Sequence, residues 1–129
     1  ESFQDIVMRS RALVTVVVIR TFLCPVCRLT RSKFAKMAGW ISQMNLENCV
    51  LMCTIDGMKN DVPDAYQHRT YPTVFIRSLK DSEYPGRSDP VEVIEEWELT
   101  SFKFGPLLEL ILQKAGIAVD PKDMISLDD

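Results

Sequence analysis

The sequence predicts an α/β domain in which a central mixed β-sheet of four to five strands is flanked by helices. Two apolar segments rich in β-branched residues, Leu13–Ile19 and Cys49–Ile55, are typical of strands covered on both faces. A segment with apolar residues at helical spacing lies between them, so a βαβ unit is predicted. Two more strand-like segments and a terminal helix follow, and this order favours a mixed sheet.

The chain begins with a predicted short helix over Phe3–Met8, where Ser2 and Asp5 stand in a capping-box-like relation. The strand Leu13–Ile19 (LVTVVVI) follows and is apolar almost throughout. It is the longest apolar run, yet it is far shorter than the ~20 residues that a membrane span needs. We therefore expect no membrane contact from this chain.

A second helix follows the first two cysteines and buries one face. The positions of its buried stripe recur every three or four residues and are Thr30, Phe34, Met37, Ile41 and Met44. The strand Cys49–Ile55 comes next and ends at the turn signal Asp56-Gly57.

The second half of the chain predicts a short helix, a β-hairpin and a last helix. The short helix spans Val62–His68. Strands Val74–Leu79 and Val91–Trp97 flank the linker Lys80–Pro90, whose Pro-Gly and Asp-Pro pairs indicate a hairpin with an enlarged loop. The last helix spans Phe104–Ala115.

Two residues mark the limits of that last helix. Pro106 stands near its first position and Gly116 just past its end, the places where these residues are favoured. Residues 1–116 are predicted to form one domain, and residues 117–129 a loosely held acidic tail.

Composition excludes several classes of protein. The chain has 129 residues, enough for one domain with a real core, and its 47% hydrophobic and 26% charged residues are ordinary for a globular protein. A net charge of −3 gives no reason to expect nucleic-acid or anionic-membrane binding. Four cysteines are too few for a disulfide-dense scaffold. The basic residues Arg28, Arg31, Lys33 and Lys36 are spaced like one solvated helix face.

Cys24 and Cys27 lie where a buried strand gives way to a helix, with Pro25 in the first helical turn. At this position the Cys24 sulfur is close to free backbone N–H groups and to the positive end of the helix dipole, which both stabilise a thiolate. Arg28 adds a positive charge one turn on. Cys27 returns to the same side of the helix and can form a small ring with Cys24. The pattern favours a reversible dithiol switch over two incidental core thiols.

A zinc site is the alternative, because Cys49 and Cys53 follow at plausible intervals. Residues four apart in a strand point the same way but lie ~13 Å apart, so one tetrahedral site cannot use both. The sole histidine, His68, adds little. We therefore predict no metal site, and we predict that Cys49 and Cys53 pack as small hydrophobic residues.

Pro72 is a candidate for a cis peptide bond, because a flat side chain precedes it and an apolar strand follows. The alternative is an ordinary trans proline at the first residue of a strand.

The segments quoted above resemble the thioredoxin superfamily, and more closely the catalytic-type domains of protein disulfide isomerases. Those domains carry a Cys-x-x-Cys pair at a helix start and a later Tyr-Pro-Thr segment that enters a strand. This chain has Cys24-Pro25-Val26-Cys27 and, at matching separation, Tyr71-Pro72-Thr73. The resemblance covers nearly all of the chain to about Gly116 and implies a thioredoxin fold.

The resemblance also implies roles for individual residues. Cys24 would be the attacking thiol and Cys27 the buried resolving thiol. The Tyr71-Pro72 bond would be cis and would pack against the pair, and the Tyr71 backbone would pair with an extended substrate segment. The apolar rim on which substrate rests would consist of Leu23, Pro25 and Val26.

No bound cofactor is implied beyond the redox-active cysteine pair, with glutathione or a partner oxidoreductase as electron source or sink. The implied partners are cysteine-containing protein clients and other domains of a longer chain. The implied location is the lumen of the endoplasmic reticulum or the secretory pathway, with the cytoplasm as the alternative.

The chain departs from the family pattern at positions that matter for chemistry. Val18 replaces the buried carboxylate that takes a proton from the resolving thiol, and Met52 stands near the place of the lysine that pairs with it. The remaining departures are Leu23 for tryptophan, Ser32 for proline and Thr70 for glycine. Without a nearby base a buried thiol keeps a raised pKa, so Cys27 should resolve mixed disulfides slowly.

Two functions from different classes follow. The first is a thiol–disulfide oxidoreductase of the protein disulfide isomerase type that acts on protein clients. The second is a thioredoxin-fold binding module, a chaperone or adaptor with weak or no redox activity. The departures at Val18, Met52 and Leu23 favour the second, and the cysteine pair favours the first.

Overall fold

The computed structural model describes residues 6–7, 12–22, 24–68, 70–80, 91–97 and 103–128. Its strands and α-helices, in chain order, are β1 Val14–Arg20, α1 Pro25–Gln43, β2 Val50–Asp56, β3 Thr73–Lys80, β4 Val91–Trp97 and α2 Gly105–Lys114. Two short 3₁₀ helices span Asp64–Tyr66 and Pro121–Asp123. Most of the helix predicted over Phe3–Met8, and most of the 80–90 loop, lie outside the described residues.

The strands form one mixed sheet in the order β2-β1-β3-β4. Strand β1 pairs in parallel with β2 and antiparallel with β3, and β3 pairs antiparallel with β4. The βαβ unit and the hairpin are therefore both present, and the predicted α/β class with a mixed four-stranded sheet is confirmed. The parallel register places Val18 opposite Thr54 and Arg20 opposite Asp56.

Alternation along β1 divides the core into two parts. Val14, Val16 and Val18 face helices α1 and α2 and belong to the larger cluster of buried side chains. Val17 and Ile19 point to the other face and belong to a smaller cluster. Burial of each such side chain contributes about 1.5–3 kcal/mol, which explains why this strand is apolar almost throughout.

The helix predicted over Val62–His68 is shorter in the structure. Only the single 3₁₀ turn Asp64–Tyr66 forms, and Gln67 follows in extended backbone. Tyr66 is fully buried against Phe75, with ring centroids 5.3 Å apart. Tyr66 thus packs this segment on the sheet from a single 3₁₀ turn, the short length usual for such helices.

The last helix has the limits that its sequence indicates. Helix α2 runs over Gly105–Lys114 with Pro106 in its first turn, and Gly116 follows its end at φ +69°. This left-handed conformation costs glycine little, because glycine has no Cβ atom.

The segment after Gly116 is packed, in contrast to the loosely held tail that the sequence predicts. Leu127 is 5% exposed within the larger cluster, and the Trp40 indole N–H donates to the Asp123 carbonyl oxygen at 3.0 Å. Apolar residues spaced through the segment pack against the larger cluster, so its acidic composition does not keep it in solvent. The domain boundary at residue 116 stays a prediction.

No helix in the described ranges is both long enough and apolar enough to cross a membrane.

Candidate active site

Cys24 is the N-cap residue of helix α1. Its backbone is extended, and its sulfur accepts a hydrogen bond from the Cys27 N–H at 3.0 Å. Strand β1 ends at Arg20, and the connection to α1 is short enough to place Cys24 where the sheet meets the helix. Pro25 occupies the first helical turn, where a proline leaves no N–H without a partner. The helix start therefore supplies the Cys24 sulfur with both a hydrogen-bond donor and a positive dipole end.

The loop before β3 brings Tyr71 to the same place. The Cys24 thiol donates to the Tyr71 carbonyl oxygen at 3.4 Å, across 47 positions of sequence. The Tyr71–Pro72 peptide bond is cis, the geometry that the resemblance implies for it. The Thr73 hydroxyl closes the turn by donating to the Thr70 carbonyl oxygen at 2.7 Å. The structure thus unites the two motifs that carry the resemblance.

Cys27 lies one turn further along α1, and its side chain is buried, with 6% exposed. Burial, and after it the hydrogen bond with the Cys24 side chain, raise the pKa of the Cys27 thiol from 9.0 to about 11. At neutral pH this thiol is protonated and a weak nucleophile.

A cavity of about 280 Å³ lies beside Cys27, between α1 and the strands β1 and β2. Its apolar wall includes Val18 and Met52. The resemblance implies a carboxylate at the position of Val18 and a lysine near that of Met52. Arg20 and Arg31 also line it. Among the described lining residues there is no carboxylate to accept the Cys27 proton. We call this space the Cys27 cavity.

The predicted substrate rim is partly described. Pro25 is exposed, and Val26, Tyr71 and Pro72 are partly exposed around the pair. Leu23 lies outside the described residues. Their role in substrate binding stays a prediction.

Sequence reasoning did not single out the exposed apolar side chains of this region. Phe22, two residues before Cys24, is 71% exposed, and Leu29, on the second turn of α1, is 73% exposed. Met58 follows the turn after β2 and is 72% exposed. These side chains are unusual because they are large, apolar and exposed. Their exposure cannot be predicted from a single sequence.

The turn after β2 is fixed by close contacts. A Cβ atom on Gly57 would lie 2.7–2.8 Å from side-chain atoms of Ile19, His68 and Tyr71. The His68 ring also meets the Tyr71 ring edge-on, with centroids 5.0 Å apart. Gly57 therefore allows the turn to approach the residue that carries the Cys24 hydrogen-bond acceptor.

Cys49 and Cys53 lie on different sides of the sheet. Cys49 precedes β2 and packs on the larger cluster, whereas Cys53 packs on the smaller one. The strand argument that both point the same way is corrected here, because β2 begins at Val50. Burial raises the pKa of Cys53 to about 11, and its thiol donates to the Val16 carbonyl oxygen at 3.5 Å. No three potential metal ligands cluster in the described part of the chain.

Comparison with known proteins identifies the fold. No protein-family profile matches the sequence, and no curated protein matches it significantly. Chloroplastic thioredoxin z superimposes with a TM-score of 0.58 at 17% identity, over 90% of this chain and 92% of that one. The zinc-bound form of human ERp44 gives 0.59 at 18% identity, over 89% of this chain and 30% of that one.

A mutant thioredoxin from Halobacterium salinarum gives a TM-score of 0.50 at 17% identity, over 92% of this chain and 85% of that one. The chain thus matches nearly the whole of two thioredoxins but less than a third of the ERp44 chain. Together with the mixed sheet and its flanking helices, these likenesses show that the chain is a thioredoxin-fold α/β domain.

Proposed function

We propose that this domain is a thiol–disulfide oxidoreductase of the protein disulfide isomerase type, which exchanges disulfides with protein clients through Cys24 and Cys27. The observation that carries the proposal is the position of the Cys24 sulfur. It caps helix α1, accepts the Cys27 N–H at 3.0 Å and lies against the Tyr71 carbonyl. Thiolates are the nucleophiles of disulfide exchange, and a helix N-terminus stabilises them.

The proposed reaction has two steps. The Cys24 thiolate attacks a client disulfide, forms a mixed disulfide and releases one client thiolate. Cys27, as thiolate, then attacks the Cys24 sulfur, so that the Cys24–Cys27 disulfide forms and the second client thiolate leaves. The raised pKa of Cys27 and the apolar Val18 make this second step slow. The domain would therefore retain clients longer than an efficient reductase.

Exposed apolar side chains close to the pair in sequence favour proteins as the clients of this domain. Phe22 and Leu29 flank Cys24 in sequence and are mostly exposed. Exposed apolar side chains near a reactive thiol can hold an extended, partly unfolded segment, and the Tyr71 backbone offers hydrogen bonds for strand addition. Clients with exposed cysteines are the proposed partners, and the lumen of the endoplasmic reticulum is the proposed location.

The proposal is tested by redox titration of the pair in glutathione buffers, read by mass after alkylation. A reversible two-electron transition between about −120 and −270 mV is expected, the range of exchange catalysts. A Cys27→Ser variant should accumulate clients on Cys24, and a Cys53→Ser variant is the matched control that should not. A pair that stays locked in one state across this range would rule out the oxidoreductase.

The second candidate is a client-binding module with little redox turnover. The replacement of the proton acceptor by Val18 beside a Cys27 of raised pKa specifically favours it. In this case a variant with serine at both Cys24 and Cys27 should bind unfolded clients as tightly as the unchanged protein. Loss of binding in that variant would reject the binding module and leave the oxidoreductase.

A further inference from the structure

We propose that the Cys27 cavity receives an acidic side chain of a client segment, close to the client's reactive cysteine, and that Arg20 and Arg31 make the domain selective for such acidic segments. This selectivity rests on the proposed oxidoreductase function and adds the class of client to it. We call Arg20 and Arg31 the arginine pair.

Helix α1 has a charge opposite to that of the chain. It carries four basic and no acidic side chains, so it contributes +4 to a net charge of −3, and the rest of the chain carries −7. Lys33 lies 3.7 Å from the Asp128 carboxylate. The other three basic residues, Arg28, Arg31 and Lys36, make no ion pair within the described part of the chain. Their positive charge is therefore available to an acidic partner.

Strand β1 brings one more positive charge to the same place. Arg20, its last residue, lines the Cys27 cavity together with Arg31 of α1, and both side chains are exposed where the cavity meets solvent. Asp56 lies opposite Arg20 in the register, but its carboxylate accepts the Met58 N–H at 3.0 Å and does not line the cavity. Two guanidinium groups from separate elements thus face one cavity, and arginine binds carboxylates through a fork of N–H donors.

The cavity adjoins the reacting groups. Cys27 and Pro72 both belong to its lining, so it lies beside the segment whose Tyr71 backbone is proposed to pair with the client. The Arg20 charge also acts at the cysteine pair: burial raises the pKa of Cys27, and Arg20 opposes that rise. A carboxylate held by the arginine pair would therefore belong to a residue near the client cysteine that reacts with Cys24.

The size and walls of the cavity suit a single acidic side chain. Its volume is about 280 Å³, which admits a side chain and excludes a folded partner. Val18, Phe34 and Met52 form apolar walls that can pack against the methylene groups of a glutamate or aspartate. Apolar walls also reduce screening by water, which strengthens the ion pair. The same positive charges repel a client segment rich in lysine, so the selectivity has an attractive and a repulsive part.

The first experiment measures attack by Cys24 on three peptides. Each peptide carries one cysteine as a mixed disulfide with 5-thio-2-nitrobenzoate, and the residues on both sides of that cysteine are aspartate, asparagine or lysine. The Cys24 thiolate attacks the peptide sulfur, the new disulfide joins Cys24 to the peptide, and the coloured 5-thio-2-nitrobenzoate leaves as a thiolate. The rate with a Cys24→Ser variant is subtracted, and each rate is divided by that of the same peptide with 2-mercaptoethanol.

We expect the aspartate peptide to react about three- to tenfold faster than the asparagine peptide at low salt, the effect of one or two exposed ion pairs. The lysine peptide should be the slowest of the three. Both differences should shrink as added salt screens the charges. Equal rates for the three peptides, or a lysine peptide as fast as the aspartate peptide, would overturn the inference.

The second experiment assigns the selectivity to the arginine pair. Arg20→Gln and Arg31→Gln should each lower the ratio of the aspartate rate to the asparagine rate by about two- to threefold. Lys36→Gln is the matched control, because it removes the same charge from an exposed position on α1 that does not line the cavity. If Lys36→Gln lowers the ratio as much as Arg31→Gln, the net charge of the helix causes the preference and the proposed site is wrong.

The two experiments separate failure of the inference from failure of the proposed function. If the three peptides react at equal rates that depend on Cys24, the oxidoreductase stands and only the class of client is wrong. If the Cys24→Ser variant reacts as fast as the unchanged protein, Cys24 is not the reacting thiol, and the proposed function fails together with the inference.

Discussion

At the scale of single residues, Val18 and Cys27 determine how fast the proposed cycle can run. Val18 lines the Cys27 cavity where a carboxylate could take the proton of the resolving thiol. The Cys27 side chain is buried, and burial raises its pKa. The resemblance predicted this consequence, because it implies a carboxylate six residues before Cys24, where this chain has Val18. It did not predict the cavity, which depends on how α1 packs across β1 and β2.

The first prediction concerns the substitution Val18→Asp. An aspartate there would sit in apolar surroundings, carry a raised pKa and act as a base toward Cys27. We expect release of a client from Cys24 to accelerate by about 10²-fold, the lower end of general-base catalysis. The free energy of unfolding should fall by about 2 kcal/mol, since the carboxyl group loses water. Single-turnover release from a preformed mixed disulfide measures the rate.

Val18→Asn is the control for that change, because asparagine has the same shape and cannot take the proton. It should cost similar stability without accelerating release. Equal acceleration by both variants would mean that polarity or loosened packing acts, and not a base.

The second prediction is the pH dependence of the same step in the unchanged protein. Cys27 attacks only as a thiolate, and its pKa is about 11. Release of the client should therefore rise about tenfold for each pH unit between pH 7 and pH 10, since the thiolate fraction rises in proportion. A rate that levels off near neutral pH would contradict this prediction. It would show that the group that controls the step ionises near neutral pH and not near pH 11.

At the scale of elements, each of the two described α-helices begins with backbone N–H groups that donate to a side chain outside the helix. Cys24 caps α1, and Asp128 caps α2 from the far end of the chain. The Asp128 carboxylate accepts from the Phe104 N–H at 2.7 Å and from the Gly105 N–H at 2.8 Å. The cap of α1 was visible in sequence because Cys24 is adjacent to its helix. The cap of α2 was not, because Asp128 is more than twenty residues away.

The third prediction concerns Asp128→Ala. Loss of the cap should lower the free energy of unfolding by about 1 kcal/mol, as is typical for capping residues. Hydrogen bonds from these two N–H groups hold the pKa of Asp128 below its ordinary 3.8, and the bond from Phe104 has the larger effect. The contribution of the Asp128 carboxylate to the free energy of unfolding is thus present above pH 3.8 and is lost as pH falls below that value. Denaturant unfolding at pH 7 and pH 3 measures both effects.

Asp123→Asn is the matched control, because this exposed carboxyl belongs to the same C-terminal segment and its backbone bond to Trp40 is retained. It should change stability by a few tenths of a kcal/mol at either pH. If Asp128→Ala and Asp123→Asn lose the same stability, the cap contributes nothing beyond net charge.

At the scale of the whole molecule, the parts that the sequence could predict are those set by local pattern. The β-branched runs predicted β1 and β2, and the apolar stripe predicted α1. The two turn signals around residues 85 and 89 predicted the β3–β4 hairpin. The cysteine pair and Tyr71-Pro72 were predicted to meet only through the resemblance. The packing of the C-terminal segment and the exposure of Phe22 depend on which distant segments come together in the fold. Neither periodicity nor composition predicts these contacts.

The last prediction concerns the stability of the whole domain at high pH. Burial raises the pKa of three groups on different parts of the fold, Cys27 and Cys53 to about 11 and Tyr66 to about 12. In the unfolded chain the thiols ionise near 9.0 and the tyrosine near 10.0. The folded state therefore keeps protons that the unfolded state releases. Its stability is fully present below pH 9 and should fall as pH rises from 9 toward 11.

Each group can contribute at most about 1.4 kcal/mol per pH unit within its own window. Denaturant unfolding under reductant between pH 8 and pH 11 measures the slope. Cys53→Val should reduce the slope from pH 9 upward, because it removes one buried thiol and fills its space. Tyr66→Phe should leave the slope between pH 9 and pH 10 unchanged and reduce it only above pH 10. If both variants reduce the slope over the same range, the loss of stability has a common origin in the net charge of the chain, and burial of these individual groups does not cause it.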